Sequence, residues 1–196
     1  MVRLMNLIRF NEAALRTALS KMHDRAVQAF ASAVASRLLQ LYLKLASSSE
    51  IAETLIQSEE LLWTYIISRD HQIVIDEDKL LGLISGGDDV PSFPDAVLAN
   101  LVAAIVYTSM SLRDDTVGNA IRTAKCAYDT ASSSPPPTVN EDPYTHGAEK
   151  IIFDHAGVQT ELALQADDLV RLKADSELAL EQAIEDLRIR YGPTSL

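Results

Sequence analysis

A single apolar stripe with helical spacing dominates the first quarter of the chain. Its members follow one another at intervals of three or four residues: Val27, Phe30, Val34, Leu38, Leu41 and Leu45. An α-helix repeats every 3.6 residues, so this spacing aligns all of these side chains on one face of a helix. A helix with one continuous apolar face has to cover that face by packing. The stripe therefore predicts a long helix that contacts other elements of the fold.

Helical spacing recurs along most of the remaining sequence, whereas no segment shows a strong strand pattern. Gly and Pro number only 7 each, which favours helices. The segment from Asp95 to Leu112 is apolar on all sides, as expected for a central helix. Side chains that can cap a helix precede the periodic segments: Asn11, Asp24, Ser49, Asp76, Asp114, Asp115 and Asp175. The sequence predicts an all-α fold, a helical bundle of about six to eight helices.

One segment, residues 132–146, interrupts the helical pattern with consecutive serines followed by Pro135-Pro136-Pro137. Prolines lack the N–H donor and favour extended backbone, so no helix is expected to cross them. Beyond this segment, apolar residues between Ile151 and Leu169 trace a long helix, and a last helix follows. We expect residues 1–196 to form a single helical domain, in which the connection at 132–146 precedes a C-terminal hairpin that packs back on the bundle.

The sequence favours a cytoplasmic protein without a membrane span. The longest apolar stretch, Val97 to Tyr107, holds 11 residues, whereas a membrane-crossing helix needs ~20. The N-terminal apolar stretch is interrupted by Arg9, Asn11 and Glu12 before a signal-peptide core could form. The single Cys126 excludes an internal disulfide and fits a reducing compartment.

No catalytic, cofactor-binding or metal-ligating motif emerges from the spacing of reactive residues. The four histidines do not form the pairs that bind metal on a helix: His23, His71, His146 and His155. His155 falls on an apolar stripe and is expected in the core. Cys126 is expected to be a buried structural thiol, because no histidine lies within helical reach. We therefore expect a protein that is not an enzyme and carries no cofactor.

The charge of the chain is strongly uneven. Residues 1–70 carry a net charge of +1, and residues 71–196 carry −12. A nucleic-acid binder concentrates Lys and Arg on one face, so this balance argues against direct binding of nucleic acid. An acidic field instead attracts a basic partner and speeds the encounter. Solubility alone also explains an acidic protein, and this alternative stays open.

The sharpest acidic signal lies in the C-terminal hairpin. Between Glu141 and Arg190 there are 12 acidic and 5 basic residues. Three glutamates step by four residues along one face of the last helix, where like charges repel by roughly 0.2–0.5 kcal/mol each. We interpret this face either as solvated surface or as a partner-binding surface. The candidate partner-binding residues are Asp167, Asp168, Glu177, Glu181, Glu185 and Asp186.

Three parts of the sequence resemble a proteobacterial family of small all-helical proteins of unknown function, the YjaG-like proteins. The first is the N-terminal helical pair, the second is the entry into the apolar mid-chain helix, and the third is the end of the chain. The residues that carry the likeness are Leu15, Leu19, Met22 and Phe30, then Phe93-Pro94-Asp95-Ala96 and Asp114-Asp115, then Val158, Glu161, Gln165, Leu187-Arg188 and Gly192. The resemblance implies an all-helical fold and supplies no catalytic residues.

The chain is also similar in type to an immunity protein of a contact-dependent growth inhibition system. Such proteins are small, cytosolic and often acidic, and they block the C-terminal toxin domain of a secreted effector, commonly a basic nuclease. The resemblance implies that the chain binds and neutralises such a domain, with its acidic face covering the substrate cleft. A toxin inhibitor of this kind needs tight association and no turnover.

Two other functions remain open from the sequence. One is an enzyme whose carboxylates converge from different helices, as in the di-metal sites of helical bundles. The other is a regulatory or structural bundle that self-associates through Val97–Tyr107 or its first helices. Whether the chain self-associates does not follow from the sequence.

Overall fold

The computed structural model describes residues 10–45, 49–70, 73–84, 92–133 and 156–193. These residues form eight α-helices and no strand, which confirms the predicted all-α bundle. The helices are α1 (Glu12–Leu19), α2 (Asp24–Leu45), α3 (Ser49–Ser68), α4 (Glu77–Leu81), α5 (Phe93–Ser111), α6 (Thr116–Ser133), α7 (Ala156–Arg171) and α8 (Glu177–Tyr191).

Helix α2 lies at the centre of the bundle and contacts α3, α5, α6, α7 and α8. Phe30, Val34 and Leu38 of its apolar stripe are buried, as the spacing predicted. Alanines and serines occupy much of the rest of the helix surface, and they are buried as well. Small side chains let several helices approach the same central helix closely, so α2 is covered on most of its faces rather than on one.

Helix α5 is a second core helix, packed against α2 and α6. Val97, Leu101 and Ile105 are completely buried, which agrees with the prediction of a central helix. By length and composition alone, Phe93–Ser111 could cross a membrane, with a mean hydropathy of 1.4. In this fold its apolar surface is used for contacts between helices.

The predicted caps are confirmed at several helix starts. The Asn11 Oδ1 atom accepts a hydrogen bond from Ala14 N at the start of α1. At the start of α6, Asp115 Oδ1 accepts from Gly118 N at 3.1 Å. A Cβ atom at position 118 would lie 2.0 Å from the Asp115 carboxylate, so any other residue there would force the capping side chain to shift. Asp76 caps α4 in the same way through Lys79 N.

Three helix starts differ from the expected positions. Asp24 lies inside the first turn of α2 and does not cap it. Helix α5 begins at Phe93 with a reciprocal capping box between Ser92 and Asp95. Helix α8 is capped by the Ser176 hydroxyl, which accepts from Ala179 N at 3.2 Å, and not by the preceding aspartate, Asp175. A capping side chain reaches best the unpaired backbone N–H three positions later. At α8 this N–H belongs to Ala179, and the residue three positions before it is Ser176.

The two C-terminal helices pack on the rest of the bundle, α7 against α6 and α2, and α8 against α2 and α3. Each packs more on these helices than on the other. The predicted connection at 132–146 lies outside the described residues beyond Ser133, as do His155 and the residues at 151–155 expected to begin the long helix. The prediction of a single domain over residues 1–196 stays a prediction.

Candidate functional site

Helix α8 carries most of the predicted partner-binding residues, and its packing decides which of them reach the surface. Leu180, Ile184, Leu187 and Tyr191 face the bundle and are buried. These residues step by three or four positions, as an inward-facing helical stripe does. The acidic residues of α8 therefore lie on its flanks and its outer side.

One flank of α8 is paired with arginines from the N-terminal part of the chain. Glu177 Oε1 lies 3.2 Å from Arg25 Nη1 and also contacts Arg69 Nη2. Glu181 Oε1 lies 3.5 Å from Arg25 Nη1 and 3.7 Å from Arg69 Nη2. Two of the three stepped glutamates thus form ion pairs with arginines outside α8, although each carboxylate is about half exposed.

Arg25 also completes the C-terminal end of α3. Its Nε donates to Ile66 O at 2.8 Å, and its Nη2 donates to Ile67 O at 3.3 Å. The last carbonyls of a helix have no partner within the helix and carry partial negative charge. The buried guanidinium satisfies them and leaves its remaining nitrogen for the glutamates of α8. Arg25 therefore joins α2, α3 and α8.

A second arginine, Arg37, holds α7 against α2. Its Nε and Nη2 donate to the two carboxylate oxygens of Glu161 at 3.1 and 2.9 Å. Its Nη1 donates to Asp168 Oδ2 at 2.5 Å. Asp168 is completely buried, and burial raises the pKa of its carboxyl although the cation lowers it. Asp168 accordingly has a role inside the fold and does not lie on the surface.

Tyr191 and Gln40 extend this cluster to the end of α8. The guanidinium carbon of Arg37 lies 5.0 Å from the centroid of the Tyr191 ring, a cation–π distance. Gln40 Nε2 donates to Tyr191 O at 3.0 Å, next to the end of the helix. The contacts fix both ends of α8 on α2, with Arg25 at its first turn and Arg37 at its last.

Asp167 precedes Asp168 on α7, about 100° away around the helix axis, and is partly exposed. Its Oδ2 atom is 2.8 Å from Arg171 Nε and 2.8 Å from Arg190 Nη1. These two hydrogen bonds lower the pKa of Asp167. The pair with Arg190 links α7 to α8.

The outer face of α8 is the part that stays open to solvent. It carries Glu185 and Asp186 between two exposed apolar residues, Leu178 at 77% and Ile189 at 73% exposure. Leu178 and Ile189 are three helical turns apart, so they project from the same side. Glu185 lies 3.5 Å from Arg188, and Asp186 accepts a hydrogen bond from Gln182.

The six predicted residues therefore divide into three groups. Asp168 is buried; Asp167, Glu177 and Glu181 are surface residues paired with arginines of other helices or turns; and Glu185 and Asp186 face outward. Their role in binding a partner stays a prediction. Sequence spacing did not reveal the arginine partners, which lie more than 100 positions away along the chain: Arg25, Arg37 and Arg69.

The uneven charge of the sequence has a structural use. Arginines of the nearly neutral N-terminal part bind carboxylates of the acidic C-terminal part at the start of α8 and along α7. These ion pairs neutralise part of the negative charge of the C-terminal part. Of the six candidate residues, Glu185 and Asp186 on the outer face of α8 form no ion pair with another helix in the described part of the chain.

A buried polar cluster lies between α2 and α3. Glu59 is completely buried, and burial raises the pKa of its carboxyl well above the ordinary value. Ser36 Oγ contacts Glu59 Oε1, lies 2.9 Å from Ser32 O and accepts from Trp63 Nε1 at 3.0 Å. The single Ser36 proton cannot serve both acceptors. A neutral Glu59 resolves this, because its own O–H can donate to Ser36 Oγ while Ser36 donates to Ser32 O.

The described part of the chain shows few features of a metal site or of a reactive cysteine. No group of three or more His, Cys, Asp or Glu side chains that could hold a metal ion occurs there. Cys126 is buried, as predicted, and burial raises the pKa of its thiol to about 11. The carboxylates of Glu161 and Asp168 do converge, but they converge on Arg37.

Comparison with known proteins finds one informative likeness. The fold is similar to the crystal structure of a DUF416 family protein from Shewanella baltica OS155, with a TM-score of 0.67 over 89% of this chain and 93% of the other. The sequence identity is 17%. No protein-family model matches the chain, and no curated protein matches it. At this identity the likeness establishes the fold: the chain has the all-helical fold of that DUF416 family protein.

Proposed function

We propose that this chain is a binding protein that neutralises a basic toxin domain, as immunity proteins of contact-dependent growth inhibition systems do. The outer face of α8 is the proposed contact surface, defined by Leu178, Glu185, Asp186 and Ile189. The arrangement of these residues supports the proposal, because two acidic side chains flanked by exposed apolar ones suit a partner surface that is both basic and partly apolar.

The two large aliphatic side chains are the expected anchors. A largely exposed Leu or Ile contributes little to the fold and gains free energy when a partner removes it from water. Three turns of helix separate Leu178 from Ile189, about 16 Å along the axis. This span suits a recognition surface centred on one helix face and extended by its neighbours.

The acids give the surface its choice of partner. With a net charge of −11, the chain attracts cationic surfaces from a distance and repels nucleic acid. A nuclease holds its substrate in a basic cleft. An acidic helix that occupies such a cleft excludes the phosphates without any reaction of its own, so the proposal includes no catalytic residue and no cofactor.

We also propose that the chain is a distant member of the YjaG-like proteins of unknown function. The all-helical fold and the uncharacterised DUF416 neighbour support an assignment to a family without known activity. The cytoplasm is the proposed location, because a nuclease toxin acts there.

The test is direct binding to a purified candidate toxin domain, the one encoded beside this chain. We expect a one-to-one complex by isothermal titration calorimetry, with an affinity that falls as salt rises. The double charge reversal E185K/D186K should weaken the complex by tenfold or more, and Leu178→Ser with Ile189→Ser should weaken it at all salt concentrations. As these substitutions weaken the complex, the nuclease activity of the toxin domain should recover.

A matched control reverses two acids on helices that pack elsewhere, Glu12→Lys on α1 and Asp78→Lys on α4. These helices contact α6 and α5, so the control changes the net charge equally and leaves α8 alone. Equal weakening by both double variants would mean that only the overall charge matters. Full affinity of E185K/D186K would show that α8 is not the contact surface.

A further inference from the structure

A cleft of about 400 Å³ opens between α2, α7, the start of α5 and the end of α6. It lies on the side of α7 that faces α6, away from the outer face of α8. Its volume falls within the range of small-molecule sites in proteins, roughly 300–1,000 Å³. The proposed toxin complex makes no use of it.

Most of the cleft wall is apolar. Leu38 and Leu41 of α2, Phe93 of α5 and Leu164 of α7 line it, and Leu38 is buried whereas the other three are only partly covered. Incompletely covered aliphatic and aromatic side chains that surround one concave space gain free energy when an apolar group fills it. The wall therefore selects a molecule with an apolar body.

The polar part of the wall has one cation without a carboxylate partner among the described residues. Arg37 and Glu161 both line the cleft, and they neutralise each other through two hydrogen bonds. Lys44 lies one helical turn beyond Leu41 and makes no ion pair within the described ranges. Within the described ranges, the cleft thus combines apolar walls with one positive charge at its rim that has no carboxylate partner.

We propose that this cleft binds a small amphipathic anion, such as a medium-chain carboxylic acid, with its chain between Leu41 and Leu164 and its carboxylate at Lys44. The paired Arg37 and Glu161 form a polar wall that needs no charge from the ligand. Lys44 attracts the head group, and its flexible stem lets it follow the carboxylate while the head stays near water.

The test titrates the intact chain with sodium decanoate by isothermal titration calorimetry, below the concentration at which decanoate forms micelles. We expect saturable binding of one molecule per chain, and weaker binding of decylamine, which has the same chain and the opposite charge. Lys44→Gln should lower the affinity for decanoate by about fivefold, since an ion pair at the rim of a cleft contributes modestly. Lys21→Gln, at an exposed lysine outside the cleft, should leave it unchanged.

A pair of tryptophan variants tests the location. Thr160 lines the cleft and is exposed, and its Oγ donates to the carbonyl four residues earlier. Thr64 on α3 is exposed and makes the same bond. Thr160→Trp should abolish decanoate binding, Thr64→Trp should preserve it, and both should keep the wild-type melting temperature within a few degrees.

Three results would overturn the proposal: no saturable binding of decanoate to the wild-type chain, decylamine binding as tightly as decanoate, or undiminished binding by a folded Thr160→Trp variant. None of these results bears on the toxin complex, because the two surfaces share no residue. The charge reversal E185K/D186K should likewise leave decanoate binding intact.

Discussion

Arg25 and Glu177 are 152 positions apart in the sequence, and their side chains meet with 3.2 Å between Nη1 and Oε1. The guanidinium is buried and the carboxylate is half exposed. The same arginine donates to two carbonyls at the end of α3. One residue of the first long helix therefore fixes both the end of its neighbour and the start of the last helix.

Replacing Arg25 by Ala should destabilise the fold by about 2 kcal/mol, because buried hydrogen bonds from a charged donor are lost and two carbonyls are left without partners. Arg69→Ala removes an exposed partner of the same glutamate and should cost at most about 0.5 kcal/mol. Urea unfolding measures both. Equal losses would mean that the carbonyl contacts of Arg25 contribute nothing.

Arg37→Ala should be among the most destabilising substitutions, at about 3–5 kcal/mol, because Glu161 and Asp168 would remain buried without their cation. The loss should be smaller at pH 4 than at pH 7, since burial raises the pKa of Asp168 and protonation removes its uncompensated charge. Arg16→Ala breaks an exposed pair with Glu12 and serves as the control, with an expected change within about 0.5 kcal/mol. Denaturant midpoints of the wild type and both variants, measured at pH 4 and pH 7, give these changes in stability.

Glu59→Gln should stabilise the protein, and the gain should grow with pH. Burial raises the folded-state pKa of Glu59, so between the unfolded and folded pKa values the unfolded chain has released a proton that the folded chain keeps. Stability of the wild-type protein therefore falls as pH rises through this window. Glutamine cannot ionise, and its amide can donate to Ser36 Oγ as the neutral acid does.

The measurement for Glu59→Gln is the melting temperature of both proteins between pH 4 and pH 9. The curves should lie close together at the acidic end and diverge upward for the variant. A variant that is less stable than the wild type throughout would show that Glu59 is ionised in the fold. Glu60→Gln, at the exposed neighbouring position, should not change the pH dependence.

Leu180 and Leu178 occupy opposite sides of α8 and give a matched pair. Leu180 is buried against the bundle, and its replacement by Ala should cost about 2–5 kcal/mol. Leu178 is exposed, and the same replacement should lie within about 0.5 kcal/mol of the wild type. Thermal unfolding of both variants checks the orientation of the helix, and a reversed order would contradict it.

Cys126 should be inert in the folded protein. Its thiol is buried, with a pKa raised to about 11, and the thiolate is the reactive form. At pH 8 we expect negligible modification by iodoacetamide over an hour, and rapid modification of one thiol per chain in concentrated urea. Rapid modification of the native protein would mean that α6 opens locally or that the thiol reaches the surface.

Sequence periodicity alone determined the class of fold and much of the core. Phe30, Val34 and Leu38 are buried because a period of 3.6 residues places them on one face, and an apolar face must be covered wherever its partner lies. The same local reasoning identified the caps at Asn11 and Asp115, since capping acts over three residues. It misplaced the cap of α8 by one residue, because Ser176 and Asp175 are both capable side chains and the backbone path chose between them.

Only the tertiary structure decided which acids pair with distant arginines. Asp167 and Asp168 are neighbours in sequence, yet Asp167 is partly exposed and Asp168 is buried against Arg37. Glu177 and Glu185 belong to one stepped series, yet only Glu177 meets Arg25. An ion pair between distant positions depends on how helices are brought together, and no local pattern records it. The sequence determined that the C-terminal part is acidic, and the packing of α7 and α8 on α2 determined how much of that charge a partner can meet.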